Sequence, residues 1–190
     1  MSAPGKPTSK VKPWKTLSST MALDEPWFRI RRDVVELPSG TVLEDFYVWE
    51  SPPIAVVVPF TVDGKFILCR QYRYAIKQVI YQFPGGAVEK GEKPEAAAKR
   101  ELREETGHTS SKFVHLSTTS PYAHKITGLE DFFLALDAKP ERKPVADENE
   151  PIELVYKTPA ELKQMMLNNE IALVTSVAAG FLALEKLGLN

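Results

Sequence analysis

Residues 86–108, GAVEKGEKPEAAAKRELREETGH, constrain the fold most, because they dictate a tight loop feeding a heavily charged helix. Gly86 and Gly91 let the backbone turn sharply, and Pro94 suits a first helical position, where a missing N–H costs nothing. Residues 96–105 are nearly all strong helix formers, and Gly107 is placed to close the helix just beyond its end. At ~3.6 residues per turn, Glu101 and Glu105 share a face, with Glu104 a neighbour of Glu101, so three carboxylates are expected to converge. Like charges at that spacing repel and need compensation. Lys99, Arg100 and Arg103 supply it if this is a solvated surface helix. A bound divalent ion supplies it otherwise, and hard carboxylate oxygens suit Mg²⁺ or Mn²⁺.

The 190 residues, 43% hydrophobic and 26% charged, fit one globular domain with a sizeable core. A net charge of -1 argues against generic binding to nucleic acid or to an anionic membrane. The single cysteine, Cys69, excludes an intramolecular disulfide and, sitting in the apolar run FILC, reads as core. No run of about 18 apolar residues and no apolar signal-peptide centre is present, so the expected location is cytoplasmic. Residues 1–20 carry four lysines, prolines and hydroxyl residues without an acid, and read as a flexible basic tail.

Two β-rich runs, FRIRRDVVEL and TVLEDFYVWE, flank Pro38-Ser39-Gly40 and predict a hairpin. IAVVVPFTV and KFILCRQYRY bracket Asp63-Gly64 and predict a second, whose nearly continuous apolar strands belong to a central sheet. AIKQVIYQFP reads as a loop entering the charged helix. FVHLST, DFFLALDA and IELVYK read as strands, and Thr158-Pro159-Ala160-Glu161 has capping-box spacing at the start of a helix. Met165 and Met166 read as core filler, and a last helical stretch covers residues 174–187. The class is α/β, a mixed sheet with helices packed on it.

Gly86, Glu92, Arg100-Glu101-Leu102, Glu104-Glu105 and Gly107 follow the spacing of the Nudix box, and the chain resembles Nudix hydrolases on that ground. His108 departs from the pattern, since the closing position is usually aliphatic. The resemblance implies an α/β/α sandwich preceded by an N-terminal antiparallel β-hairpin. It implies a single domain over residues 21–190, with strands 21–52 able to exchange across a dimer and a catalytic core from 53 onward. By the same resemblance Glu101, Glu105 and Glu104 are metal ligands, joined by the Gly85 carbonyl, while Glu92 and Arg100, with Gly86 and Gly107, brace loop against helix. The implied ion is Mg²⁺, with Mn²⁺ able to substitute.

The acidic run Asp147-Glu148-Asn149-Glu150 reads alone as a solvated loop, yet it resembles the acidic loop of the ADP-ribose pyrophosphatase branch. That makes Glu148 the candidate base, with Glu104 in reserve, and Glu150 a further ligand. Arg73, at the end of Arg70-Gln71-Tyr72-Arg73, is placed to clamp a phosphate, although that branch often has Glu where Gln82 stands. Pro121 resembles the branch's downstream proline, offset by about two residues, which leaves nucleotide-sugars such as GDP-mannose open. Trp27 and Phe28 are candidates for stacking on the base, from strands that would make the protein a homodimer. His115 reads as packing, and His108 and His124 as surface residues. The implied reaction is Mg²⁺-dependent hydrolysis of ADP-ribose or a related nucleotide-sugar. The alternatives are a Nudix hydrolase of (d)NTPs or dinucleoside polyphosphates and a catalytically silent ligand sensor.

Overall fold

The computed structural model describes residues 11–26, 28–144 and 151–189. It divides into two compact units, residues 1–51 with 122–127, and residues 52–121 with 128–190.

The first unit is an antiparallel three-stranded sheet of β1 (Lys15–Glu25), β2 (Phe28–Glu36) and β3 (Val42–Trp49), in that order. β2 and β3 form the hairpin expected around Pro38-Ser39-Gly40, where Gly40 takes a φ of 86°. β1 is an addition to that hairpin. Lys15–Thr20, which composition places in a flexible tail, are strand residues paired with β2 from Lys15↔Glu36 onward. Each of its 11 residues is exposed, so no buried face marks the strand in the sequence. Residues 122–127 join this unit through the Trp49 amide, which donates to the Lys125 carbonyl at 2.7 Å.

In the second unit, β4 (Ile54–Thr61) and β5 (Phe66–Arg73) form the hairpin around Asp63-Gly64, with Gly64 at φ 79°. The stretch expected as a loop contains a 3₁₀ turn over Tyr74–Ile76 and a strand, β6 (Gln78–Gln82), paired with β5. β7 (Gly85–Ala87) then pairs with β4, and helix α1 spans Pro94–Thr106. Gly107 ends the helix in the left-handed region at φ 68°, with its amide donating to the Arg103 carbonyl. After it come β8 (His108–Thr109), β9 (Lys112–Thr119), β10 (Glu130–Pro140) and β11 (Glu153–Lys157), then helices α2 (Pro159–Leu167) and α3 (Val174–Leu187).

The sheet path runs β11-β5-β4-β10-β8, with β6 beside β5, β7 beside β4 and β9 beside β10. β4 and β10 are parallel, which makes the sheet mixed. Because side chains alternate along a strand, β4 divides its residues between two cores. Val56 and Val58 meet Phe132, Leu134, Leu162, Met165, Met166 and Leu184 on the α2/α3 face. Ala55 and Val57 meet Ala97, Ala98, Leu102 and Phe133 on the α1 face. This unit is an α/β/α sandwich, and the methionines fill its core as expected.

Two histidines correct the sequence reading. His108 is 5% exposed rather than on the surface. Its Nδ1 lies 2.8 Å from the Thr106 carbonyl, and its Nε2 lies 3.3 Å from the Tyr156 hydroxyl, so both ring nitrogens have partners inside the fold. His115, expected to pack, does so on one side only: its ring lies edge-on to Phe133 with centroids 5.2 Å apart, while the other side is exposed beside Asp131, 3.2 Å from its Oδ1.

The start of α2 has the full capping box. The Thr158 hydroxyl accepts from the Glu161 amide at 3.3 Å, and the Glu161 carboxylate accepts from the Thr158 amide at 2.8 Å. Thr158→Ala is expected to cost about 1 kcal/mol and to lower Tm by roughly 2–4 °C. Differential scanning calorimetry reads the shift, and an unchanged Tm would mean that α2 does not depend on its cap.

Candidate functional site

The charged helix meets its loop through one side chain. Arg100 Nε and Nη2 donate to the two oxygens of Glu92 at 3.2 and 3.1 Å, and Nη2 also donates to the Ala87 carbonyl at 2.9 Å. The other arm, Nη1, donates to Glu101 at 2.5 Å and to Glu104 at 3.3 Å. Glu92 also accepts from the Glu89 amide at 3.0 Å, so the loop folds onto its own carboxylate. These contacts hold the Glu92 carboxyl below the usual glutamate range and push the Arg100 guanidinium further up.

Gly86 lies under the Glu101 carboxylate, where an added Cβ would overlap Glu101 Oε1. Gly85 is packed as tightly, since its Cβ would reach 3.0 Å from Val56 Cα and closer still to the Ala55 carbonyl oxygen. Gly85 is therefore required by close approach to backbone rather than by φ, whereas at Gly86 a side chain would displace the Glu101 carboxylate. At the far end, an added Cβ on Gly107 would strike the Arg142 carbonyl oxygen, and the Gly107 carbonyl accepts from the Glu141 and Arg142 amides at 2.9 and 3.1 Å.

The three carboxylates are not equivalent. Burial pushes the Glu101 carboxyl up, against the lowering effect of Arg100. Glu104 is half-exposed and shares Arg100 with Glu101. Glu105 turns the other way, accepting from the Gly85 amide at 3.1 Å and lying 4.0 Å from Cys69 Sγ. Burial, reinforced by the Glu105 charge and opposed by Arg73, raises the Cys69 thiol well above its ordinary value. Among the described residues no three acidic, histidine or cysteine side chains are grouped as a metal cage. The expected convergence is thus divided, because like charges one turn apart separate onto different donors.

The donor types fit a hard divalent cation. Glu101 is desolvated beside Glu104, a situation that a neighbouring positive charge relieves. Arg73 is turned toward β6, where Nε and Nη2 both donate to Gln82 Oε1 at 3.0 and 2.9 Å. Pro121 is exposed beyond β9. Phe28, in the first unit, is 45% exposed and its ring centroid lies 5.2 Å from that of Trp49. Trp27, Glu148 and Glu150 lie outside the described residues.

Two features of the site went unread in the sequence. Cys69 is core, as expected, but its sulfur also borders Glu105. The Gly85 amide, rather than its carbonyl, makes the contact to Glu105. The period-two pattern that puts Cys69, Gln71 and Arg73 on one face of β5 was the available signal.

Comparison with known proteins identifies relatives of both units. A NUDIX domain model matches residues 51–175, and a model described as the nucleoside diphosphate sugar hydrolase N-terminal domain matches residues 14–49. An ADP-ribose pyrophosphatase of Bacillus subtilis (strain 168) is 35% identical over 141 residues, 72% of this chain and 74% of that protein. A methanol dehydrogenase activator of Bacillus methanolicus is 29% identical over 177 residues, 90% of this chain and 94% of that one. A solved structure described as an ADP compounds hydrolase superposes with a TM-score of 0.81 at 23% identity, covering 96% of this chain and 100% of that chain, a likeness of fold.

The Glu92 carboxyl sits low in the folded chain, so its contribution is present above the unfolded value and lost as pH falls through the lower folded value. Glu92→Gln is therefore expected to lower Tm relative to wild type near neutral pH, and the two curves are expected to converge as pH drops below the ordinary glutamate range. Thermal unfolding between about pH 3 and about pH 7, where carboxylates titrate, reads this. A constant difference down to the acid end would mean that the pairing charge of Glu92 does not hold the loop.

Proposed function

The chain belongs to the NUDIX family, and from that premise we propose that it hydrolyses the pyrophosphate bond of ADP-ribose or a related nucleotide-sugar. The products are a nucleoside monophosphate and a sugar phosphate. The observation that carries this reading is the braced helix face, on which Arg100 fixes a desolvated Glu101 beside Glu104 while Glu105 is fixed by Gly85. The match of residues 14–49 to a nucleoside diphosphate sugar hydrolase N-terminal domain, and relatives named ADP-ribose pyrophosphatase, support the substrate class.

Glu101 and Glu105 would hold Mg²⁺ or Mn²⁺, with Glu104, the Gly85 carbonyl and Glu150 completing the protein's share of the ligands. When bound, the ion neutralises phosphate oxygens and makes a coordinated water more acidic. Arg73 donates to a phosphate oxygen and orients the diphosphate. Glu148 takes a proton from the attacking water, and Glu104 is the reserve base. The water oxygen forms the new P–O bond while the bridging P–O bond breaks and the leaving phosphate carries off its electron pair. Pro121 bounds the substrate loop, and Phe28 and Trp27 stack on the base.

We assign the N-terminal strands to a homodimer. β1 exposes Leu17, Met21 and Leu23, and its sheet also exposes Phe28, Val42 and Tyr47, an apolar surface suited to a second copy. Among the described residues no helix is long and apolar enough to cross a membrane. A cytoplasmic setting suits the single buried thiol.

A panel of ADP-ribose, GDP-mannose, UDP-glucose and dNTPs with Mg²⁺ or Mn²⁺ is expected to give fastest turnover on a nucleotide-sugar. Turnover of dNTPs alone would overturn the substrate class, and silence on every member the enzymatic reading. Glu148→Gln is expected to reduce kcat by roughly 10²- to 10⁴-fold, with little change in Tm; near-normal turnover at saturating Mg²⁺ would move the base to Glu104 or Glu105. Light scattering at micromolar concentration is expected to give the mass of a dimer, and a monomer would defeat the shared-strand arrangement.

A further inference from the structure

A β-bulge sets three polar side chains side by side on the central sheet. Residues three apart along a strand ordinarily point to opposite faces, but β9 carries one extra residue, Leu116, between its pairings Phe132↔Ser117 and Phe133↔His115 with β10. His115 and Thr118 are thereby turned to the same side, where both meet Asp131. The Thr118 hydroxyl donates to Asp131 Oδ1 at 2.5 Å, and His115 Nε2 lies 3.1 Å from Thr118 Oγ1 and 3.2 Å from Asp131 Oδ1. Since the threonine gives its hydrogen to a carboxylate that only accepts, the ring proton belongs on Nε2, and Nδ1 of the neutral imidazole is an acceptor. Among the described residues neither Nδ1 nor Asp131 Oδ2 has a hydrogen-bond partner.

This cluster shares a sheet face with the charged helix. Asp131 pairs with Ala55 and Phe133 with Val57, and Ala55, Val57 and Phe133 all pack on the α1 side. Ala55 pairs in turn with Gly86, whose missing Cβ would point at Glu101. Asp131 therefore stands two strands from the glycine beneath Glu101, about 10 Å at ordinary strand spacing, with the small Ala55 between them. We propose that Asp131 and His115 form the subsite for the sugar of the nucleotide-sugar, accepting hydrogen bonds from its hydroxyls while Thr118 holds both in place. This rests on the nucleotide-sugar reading of the same site. Two acceptors, one of them charged, repel a phosphate and match a group that brings O–H donors. A phosphate held at Glu101 leaves its attached sugar a gap of that size to fill.

The test uses the full chain with Mg²⁺ and two compounds: the panel nucleotide-sugar that wild type turns over fastest, and the same nucleoside diphosphate carrying a methyl ester in place of the sugar. Wild type is expected to favour the sugar compound in kcat/KM. Asp131→Ala is expected to cut that preference about tenfold while the methyl ester's kcat/KM stays within about twofold, since only the sugar loses hydrogen bonds to a charged group. His115→Ala is expected to cut it about threefold, the loss of a neutral contact. Melting curves establish that each variant is folded. Asp131→Ala with wild-type preference overturns the proposal, and so does a loss shared equally by both compounds, which marks a structural role. If that variant does not fold, His115→Ala decides, because its ring is half-exposed, and an unchanged preference overturns the proposal. Wild type active on nucleotide-sugars but indifferent to the sugar defeats the inference alone, whereas wild type inactive on every nucleoside-diphosphate-linked compound defeats the underlying reading and the inference with it.

Discussion

One guanidinium carries the contact between loop and helix on which the site depends. Arg100 reaches Glu92 and the Ala87 carbonyl on the loop side and Glu101 and Glu104 on the helix side. Lysine, with a single point of charge, has no rigid fork to span four acceptor groups in this way. Without that bond set, Glu101 and Glu104 would face each other one turn apart with no counter-charge between them. The helix is held from the other side by packing, since Ala97, Ala98 and Leu102 are buried against Ala55 and Val57 of the central strand. Small alanines let the helix approach the sheet closely, and Gly86 lets the loop pass beneath Glu101 with no side chain between.

What the sequence made legible was local. Pro94 and Gly107 mark the helix ends because a missing N–H and a left-handed φ are properties of single residues. The turns at Gly40 and Gly64, and the Thr158 capping box, were readable for the same reason. β1 and β6 were not, because each is a strand only by virtue of its partner: an all-exposed KTLSSTMALDE has no alternation to betray it, and QVIYQ pairs with β5 across a 3₁₀ turn. His108 shows the same limit in one side chain. Its burial depends on Tyr156, 48 residues away, whose hydroxyl gives a polar ring a place in the interior.

The candidate site divides along the same line. The box spacing located Glu92, Arg100, Glu101 and Glu104 around one another, since all of them lie within one loop and one helix. Which donor each carboxylate would take was not contained in the spacing. Glu105 goes to the Gly85 amide because β7 brings that amide to the end of the helix, and β7 exists through its pairing with β4. Arg73 and Gln82 are nine residues apart and meet only because β5 and β6 are paired.

Among the described residues the two arginines of this face meet different partners. Arg100 is committed to three glutamates, and its charge is spent within the protein. It can hold geometry, but it has little field left for a ligand. Arg73 is directed by an amide that takes two hydrogen bonds and returns no charge. A carboxylate helix attracts cations and repels phosphate, so an anionic substrate needs a positive group that the helix has not neutralised. Under the proposed reading Arg73 of β5 is the cation assigned to the phosphate, while Arg100 holds the loop against the helix.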